Sequence, residues 1–329
     1  MSVYTCSGTL MQGSGGLYLV KLDKSGSPLS GCAVRLRARG NMRRAGLLVG
    51  DRVDGEYTDS SFVLAGGMTA VADDSSGLPD GAITLVHPRK NRLIRPAMAN
   101  LDNLFIVCAA QSPDPDLLMT DKLLSVCEYY GILPAVVITK YDLNPENALK
   151  IREIYRNAGY DAFALSCLEN TGIDEFEDYI TGCCRGRISA FTGVSGAGKS
   201  TLMSRLFPSL RLEAGEISGK TGRGRHTTRR VDLFVIDDED GEALIADTPG
   251  FSFIDFENFD FLPFEALADT MKDFIPYYPD CRYPDCTHTK EKECGVAQAV
   301  RAGRISPSRH ESYLAMYESL KKREKNKYS

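Results

Sequence analysis

Gly193, Val194, Ser195, Gly196, Ala197, Gly198, Lys199 and Ser200 spell G-x-x-x-x-G-K-S, between the apolar run Ile188–Thr192 and the helix-like stretch 201–207. No other feature restricts the fold as tightly, because this loop works only between a buried strand and a helix. Its glycines let backbone N–H groups turn inward around phosphate oxygens without Cβ clashes, and the helix N-terminus adds partial positive charge. Lys199 is expected to reach the β- and γ-phosphates and serve the chemistry there, Ser200 to ligate Mg²⁺, and Thr201 to touch the α-phosphate. Apolar runs at 104–110, 135–138, 233–236 and 243–246, with amphipathic stretches Leu117–Tyr130 and Pro145–Asn157 among them, predict an α/β sheet covered on both faces.

Downstream, Asp247, Thr248, Pro249 and Gly250 end the run 243–246, where a nucleotide hydrolase puts its magnesium-side aspartate. Asp247 is expected to hold the metal through water, and the Gly250 N–H to sense the γ-phosphate. ATP and GTP share their phosphates, so the base must be read elsewhere. Thr139, Lys140, Tyr141 and Asp142 follow the run 135–138 and resemble the guanine-reading motif NKxD. Asp142 offers two acceptors to the guanine N1–H and N2 amine, which adenine does not present, and Lys140 offers its methylene stem to the base plane. Thr139 stands where Asn is usual, which predicts looser anchoring. Ser166 and Cys167, after a short run at 163–165, resemble the element that contacts guanine O6.

The order of these parts is inverted. In ordinary GTPases the phosphate loop comes first and the base reader last; here the reader precedes the loop and the aspartate. A circular permutation keeps the sheet while moving the termini, which lie at domain surfaces.

The flanks read differently. Residues 1–73 alternate in short strand-like pieces such as Leu17–Leu22 and 32–38, separated by glycine turns, which predicts a small β-barrel of OB type. Arg35, Arg37 and Arg39 occupy alternate positions and so one strand face; a solvated sheet face and an RNA-binding face both fit them. Residues 74–87 are rich in Ser, Gly, Pro and Asp and read as a linker. The central domain then occupies 88–256, and 257–329 form a mostly helical C-terminal module.

In that module Cys281, Cys286, His288 and Cys294 make a Cys₃His set, suited to one closed, structural Zn²⁺. The other cysteines (6, 32, 108, 127, 167, 183 and 184) are scattered and read as thiols. His87 and His310 read as surface or packing residues. Ser308 to Glu311 fit a helix capping box, with Tyr313, Met316, Tyr317 and Leu320 at helical spacing, and Lys321, Lys322, Arg323, Lys325 and Lys327 follow.

Net charge is −5, yet residues 1–95 hold twelve Lys/Arg against eight Asp/Glu, and residues 296–329 hold eight against three. Basic ends around an acidic middle admit a polyanionic partner. The sequence begins without a basic region followed by an apolar core, and its apolar runs are too short to span a bilayer. The expectation is a cytoplasmic protein without a membrane partner.

A permuted GTPase between a basic barrel and a Cys/His module resembles the RsgA (YjeQ) family, and the likeness covers essentially the whole chain. Gly224, Arg225, His226, Thr227 and Thr228 resemble that family's switch I, GRHTT, which implies Mg²⁺ contact through Thr227 or Thr228. Arg229 stands where a third Thr is common. Phe251 holds the place of the water-orienting glutamine of Ras-like enzymes, which leaves His226 as the candidate for the catalytic role and a surface histidine as the other reading. The resemblance implies a GTPase that acts as a monomer on the small (30S) ribosomal subunit and 16S rRNA, turning GTP into GDP and phosphate late in subunit maturation. A P-loop ATPase or kinase would leave Asp142 and the Cys/His set without roles. An RNA-binding module with a structural nucleotide would show no subunit-stimulated phosphate release.

Overall fold

The computed structural model describes residues 3–23, 32–38, 46–58, 62–63, 81–94, 97–208, 231–238, 241–247 and 262–327. They fall into two compact units, the first comprising 1–101, 184–190 and 203–250, the second 102–183, 191–202 and 251–329.

In the first unit, β1 (Val3–Ser14), β2 (Leu17–Leu22), β3 (Ala33–Ala38), β4 (Arg52–Thr58), β5 (Phe62–Val63) and β6 (Ala82–Val86) build the barrel. The sheet runs β2-β1-β4-β6-β3, and β3 pairs back onto β2, closing it. Gly15 and Gly16, both at positive φ, make the β1–β2 turn. Leu10, Val20, Leu22, Val34, Leu36, Val53, Tyr57 and Ile83 fill the interior, as period-2 patterning requires.

The linker expected at 74–87 needs correction, because Ile83 belongs to this interior and β6 pairs with both β3 and β4. Its Ala82–Val86 segment is a barrel stave; the Ser/Gly/Pro cluster before it hid the alternation. Arg35 and Arg37 lie half-buried on the face of β3 opposite Val34 and Leu36, and Arg39 lies outside the described residues. A small hairpin, β7 (Arg92–Ile94) with β8 (Ala97–Ala99), follows. Asn91 exchanges two hydrogen bonds with the Leu101 backbone, and the Asn100 amide donates to the Gly50 carbonyl.

β9 (Asn103–Ala109), β10 (Leu133–Thr139) and β11 (Asp161–Ala164) form a parallel set in the second unit. Every residue of β9 is buried, which explains its unbroken apolar run. α1 (Leu117–Tyr130) is capped by Asp116 and stops at Gly131 in the left-handed region; α2 (Pro145–Asn157) is capped by Asn144. Back in the first unit, residues 188–190 of β12 (Ile188–Thr192) pair in parallel with β14 (Gly241–Asp247), which pairs antiparallel with β13 (Asp232–Asp238). The remaining helices are α3 (Ile173–Cys184), α4 (Lys199–Leu206), α5 (Gly295–Arg301) and α6 (Pro307–Lys327).

α6 lies against α1. Tyr313, Met316, Tyr317 and Leu320 are its buried stripe, each contributing about 1.5–3 kcal/mol by leaving water. The helix opens two residues earlier than the capping-box reading predicts. Pro307 occupies its first position, and Ser306 accepts the Arg309 and His310 N–H bonds, since proline at the first turn has no N–H to leave unpaired.

Candidate nucleotide site and metal centre

The phosphate loop leaves β12 at Gly193. A Cβ there would stand 2.2 Å from the Val107 carbonyl oxygen, so glycine alone lets the loop lie against β9. Gly196 and Gly198 hold φ of +81° and +88°, a region side chains disfavour. Ser200 and Thr201 stand exposed at the first turn of α4, with Lys199 half-buried beside them.

Thr139 ends β10 and is buried. Its hydroxyl lies 2.5 Å from the Ala197 carbonyl of the phosphate loop and 3.3 Å from the Cys108 carbonyl. One hydroxyl proton serves one acceptor fully, and the shorter contact ties the TKYD segment to the loop. The short side chain suffices because Gly198 comes so close: a Cβ there would be 3.3 Å from Thr139 Oγ1.

Lys140 sits in the left-handed region at φ 58°, and its ammonium donates to the Ser112 carbonyl. Asp142, in a 3₁₀ turn over Tyr141–Leu143, accepts a 2.5 Å hydrogen bond at Oδ1 from the fully buried Ser166 hydroxyl. Ser166 also accepts from the Glu169 N–H. The serine read as an O6 contact thus holds the aspartate in place, and Cys167 is half-buried next to it.

The turn at 110–112, at the end of the apolar run 104–110, carries no motif of its own. Asn147 donates to the Ala110 carbonyl, Asn144 to the Gln111 side chain and Lys140 to the Ser112 carbonyl, fastening this turn to the TKYD segment. The two asparagines at the start of α2 were its one visible signal.

The Cys281, Cys286 and Cys294 sulfurs and a His288 ring nitrogen all lie within 4.8 Å of one another. His288 Nδ1 is 3.6 Å from Cys281 Sγ and 3.5 Å from Cys294 Sγ. A tetrahedral zinc with bonds of about 2.3 Å to sulfur and 2.0–2.1 Å to nitrogen has N···S edges of about 3.5 Å. The donor set therefore fits zinc in spacing and in chemistry. Backbone N–H groups of Gly295 and Ala297 point at the Cys281 and Cys294 sulfurs, which suits thiolates.

Surrounding groups fix the histidine. Tyr278 stacks on its ring, the His310 ring meets its carbonyl, and the Tyr313 hydroxyl holds the Thr287 carbonyl. His310 is therefore a brace for the metal loop. Glu291 accepts from Thr287, Thr289 and Lys290. Burial opposes its charge, but these bonds, led by the Thr287 hydroxyl, hold its carboxyl down at about 2.

A second feature has no local sequence signature. Arg309 is 1% exposed and donates to Asp121 of α1 at 2.6 Å and to both oxygens of Asp273 at 2.7 and 3.2 Å. Burial raises the Asp121 carboxyl, with Arg309 pulling the other way. Burial likewise opposes the Arg309 charge, yet its two carboxylate partners keep the guanidinium firmly protonated. The triad fastens the Cys/His module to α1.

Among the other thiols Cys108, Cys127 and Cys184 are buried, and burial pushes Cys108 up to about 12, which makes it inert. His226, Thr227, Thr228 and Gly250 lie outside the described residues, as does the side chain of Asp247. No helix among the described residues is long and apolar enough to cross a membrane.

The RsgA GTPase family model matches residues 86–257. A protein of Alkaliphilus metalliredigens named small ribosomal subunit biogenesis GTPase RsgA is 36% identical over 318 residues, covering 96% of this chain and 98% of its own. One of the same name from Leuconostoc citreum is 36% identical over 327 residues, covering 98% and 97%. Among solved structures, YjeQ from Thermotoga maritima superposes with a TM-score of 0.70 at 29% identity, covering 96% of this chain and 99% of that one. YloQ, described as a circularly permuted GTPase, gives 0.70 at 28% identity, covering 97% and 96%. With its inverted motif order, closed barrel and Cys/His module, the chain belongs to the RsgA family of circularly permuted GTPases.

Proposed function

We propose that this GTPase acts on the small (30S) ribosomal subunit late in its maturation, gripping 16S rRNA with its basic ends, as a monomer in the cytoplasm. The observation that carries the nucleotide part is the hydroxyl of Thr139 on the Ala197 carbonyl, which sets a guanine reader and a phosphate cradle at a fixed separation. Asp142, braced by Ser166, reads the base edge, and Gly193 to Lys199 hold the phosphates. Ser200, Asp247 and Thr227 or Thr228 hold Mg²⁺. One structural zinc sits on Cys281, Cys286, His288 and Cys294 and holds the C-terminal module folded.

His226 serves hydrolysis in place of a glutamine. His226→Ala is expected to lower GTP turnover by at least about tenfold with affinity nearly intact, and unchanged turnover removes it from the mechanism.

The experiment is GTP hydrolysis with and without purified small subunits across a salt series. Turnover is expected to be slow alone and to rise with subunits, the rise fading with salt as phosphate contacts are screened. GDP, not ADP, is expected to displace a fluorescent guanine nucleotide. Turnover indifferent to subunits refutes the ribosomal reading, and displacement by ADP refutes the guanine reading.

A further inference from the structure

Strand periodicity fails on one outer face of the barrel. Val20 and Leu22 of β2 and Leu10 of β1 belong to the barrel interior, so their alternate neighbours point outward. A register shift between Leu10 and Gln12 moves β1 on by one residue, so the cross-strand pairs Thr9–Lys21 and Gln12–Leu19 are the outward positions. Residues there should meet water, yet Leu19 is 1%, Gln12 5%, Thr9 7% and Lys21 8% exposed.

Within the same compact unit Arg52 reaches over Thr9, and the β13–β14 hairpin meets this side of the barrel at two points. β13 lies against β1, and the Lys21 ammonium pairs with the Glu242 carboxylate at the start of β14. Lysine is rarely buried unless paired, and removing either partner strands the other charge.

The hairpin's register pairs Asp232 with Asp247 at one end and Asp238 with Gly241 at the other. The segment carrying Thr227 and Thr228 leads into the first end, and Asp247 opens the DTPG segment there. Glu242 lies five residues away, about 17 Å along the strand. The hairpin therefore has, at one end, the residues next in sequence to both candidate switch segments and, near the other, the Lys21 contact.

We propose that the Lys21–Glu242 pair makes the barrel and this hairpin one lever, so that RNA on the barrel and the γ-phosphate at the switches bias the same element. This rests on the functional reading above, in which the barrel meets RNA and those segments answer to nucleotide. Coupling of this kind acts in both directions.

The test uses the full chain as wild type, Lys21→Met, Glu242→Gln and the exchanged pair Lys21→Glu/Glu242→Lys. One arm follows amide hydrogen exchange in β1 and β2 with GDP against a non-hydrolysable GTP analogue. The other follows GTP turnover with and without small subunits. In the wild type, exchange in β1 and β2 is expected to depend on the nucleotide, and turnover to rise with subunits. Each single variant should keep basal turnover, lose at least about fivefold of the stimulation and lose the nucleotide dependence in the barrel. The exchanged pair should recover both.

Single variants stimulated like the wild type overturn the lever, as does an exchanged pair no better than the singles. A wild type indifferent to subunits overturns the ribosomal reading instead, and the exchange arm then decides the lever. Nucleotide dependence in β1 and β2 that is absent from the wild type, or that survives Lys21→Met, refutes it.

Discussion

Replacing Arg309 by Met tests what fastens the C-terminal module to the nucleotide domain. The guanidinium is 1% exposed and lies between Asp121, equally buried, and Asp273, 6% exposed. Its stem is replaced in kind by methionine, so the loss is chiefly that of charge and of three hydrogen bonds. Removing one partner of a buried ion pair costs about 3–5 kcal/mol, a large share of the roughly 5–15 kcal/mol that holds a domain folded.

The deficit should depend on pH. Burial already raises Asp121, and Arg309 is what opposes that rise. Without it the folded-state pKa climbs further above the unfolded one. A carboxyl raised in the folded state contributes stability below that pKa and loses it as pH rises through it. The variant should therefore be closer to wild type at pH 5 than at pH 8. The assay is urea unfolding of the full chain at both pH values. The triple variant Asp121→Leu/Arg309→Met/Asp273→Leu should regain most of the loss, because apolar groups leave no charge stranded. A deficit under about 1 kcal/mol, or one independent of pH, refutes the assignment of a charge-compensating role.

Thr139→Val keeps the side chain's shape and strands the Ala197 carbonyl; at about 1–3 kcal/mol for an unsatisfied buried group, GDP should bind about tenfold more weakly in titration calorimetry. Its preference over IDP should persist because Asp142 is untouched, and an unchanged GDP affinity removes Thr139 as a tether. Metal analysis should find about one zinc per chain. A chelator should then melt residues 281–294, seen by hydrogen exchange, before it affects GDP binding; simultaneous loss of both would place the metal at the nucleotide.

What the sequence made legible has a common cause: each feature was fixed by chemistry local to a few residues. Gly193, Gly196 and Gly198 announce a backbone conformation that only glycine allows, and α1 and α2 begin and end where apolar spacing and caps require. Cys281 to Cys294 carry their spacing within fourteen residues. The features that stayed hidden are set by distant partners. Arg309 reads as an ordinary second residue of a capping box, and only its meeting with Asp121, 188 positions away, turns it into a clasp. Ile83 reads as part of a linker until β3 and β4 flank it. Lys21 is one residue of the strand-like piece Leu17–Leu22 until Glu242, 221 positions away, pairs with it.

The permutation explains why two of these long-range partnerships matter together. In a chain where the phosphate loop and the base reader have exchanged places, the segment after DTPG runs on into the Cys/His module. That module must then be fastened to the domain by contacts rather than by the sheet. A buried Arg between two Asp residues supplies one such contact through three hydrogen bonds. The hairpin that ends at Asp247 is held at its other end by a second charge pair, Lys21 with Glu242. Each attachment sets a charge pair within apolar packing, Arg309 on the helix whose stripe is Tyr313, Met316, Tyr317 and Leu320, and Lys21 two residues from the buried Leu19. Removing one partner would therefore strand a charge that the apolar contacts cannot satisfy.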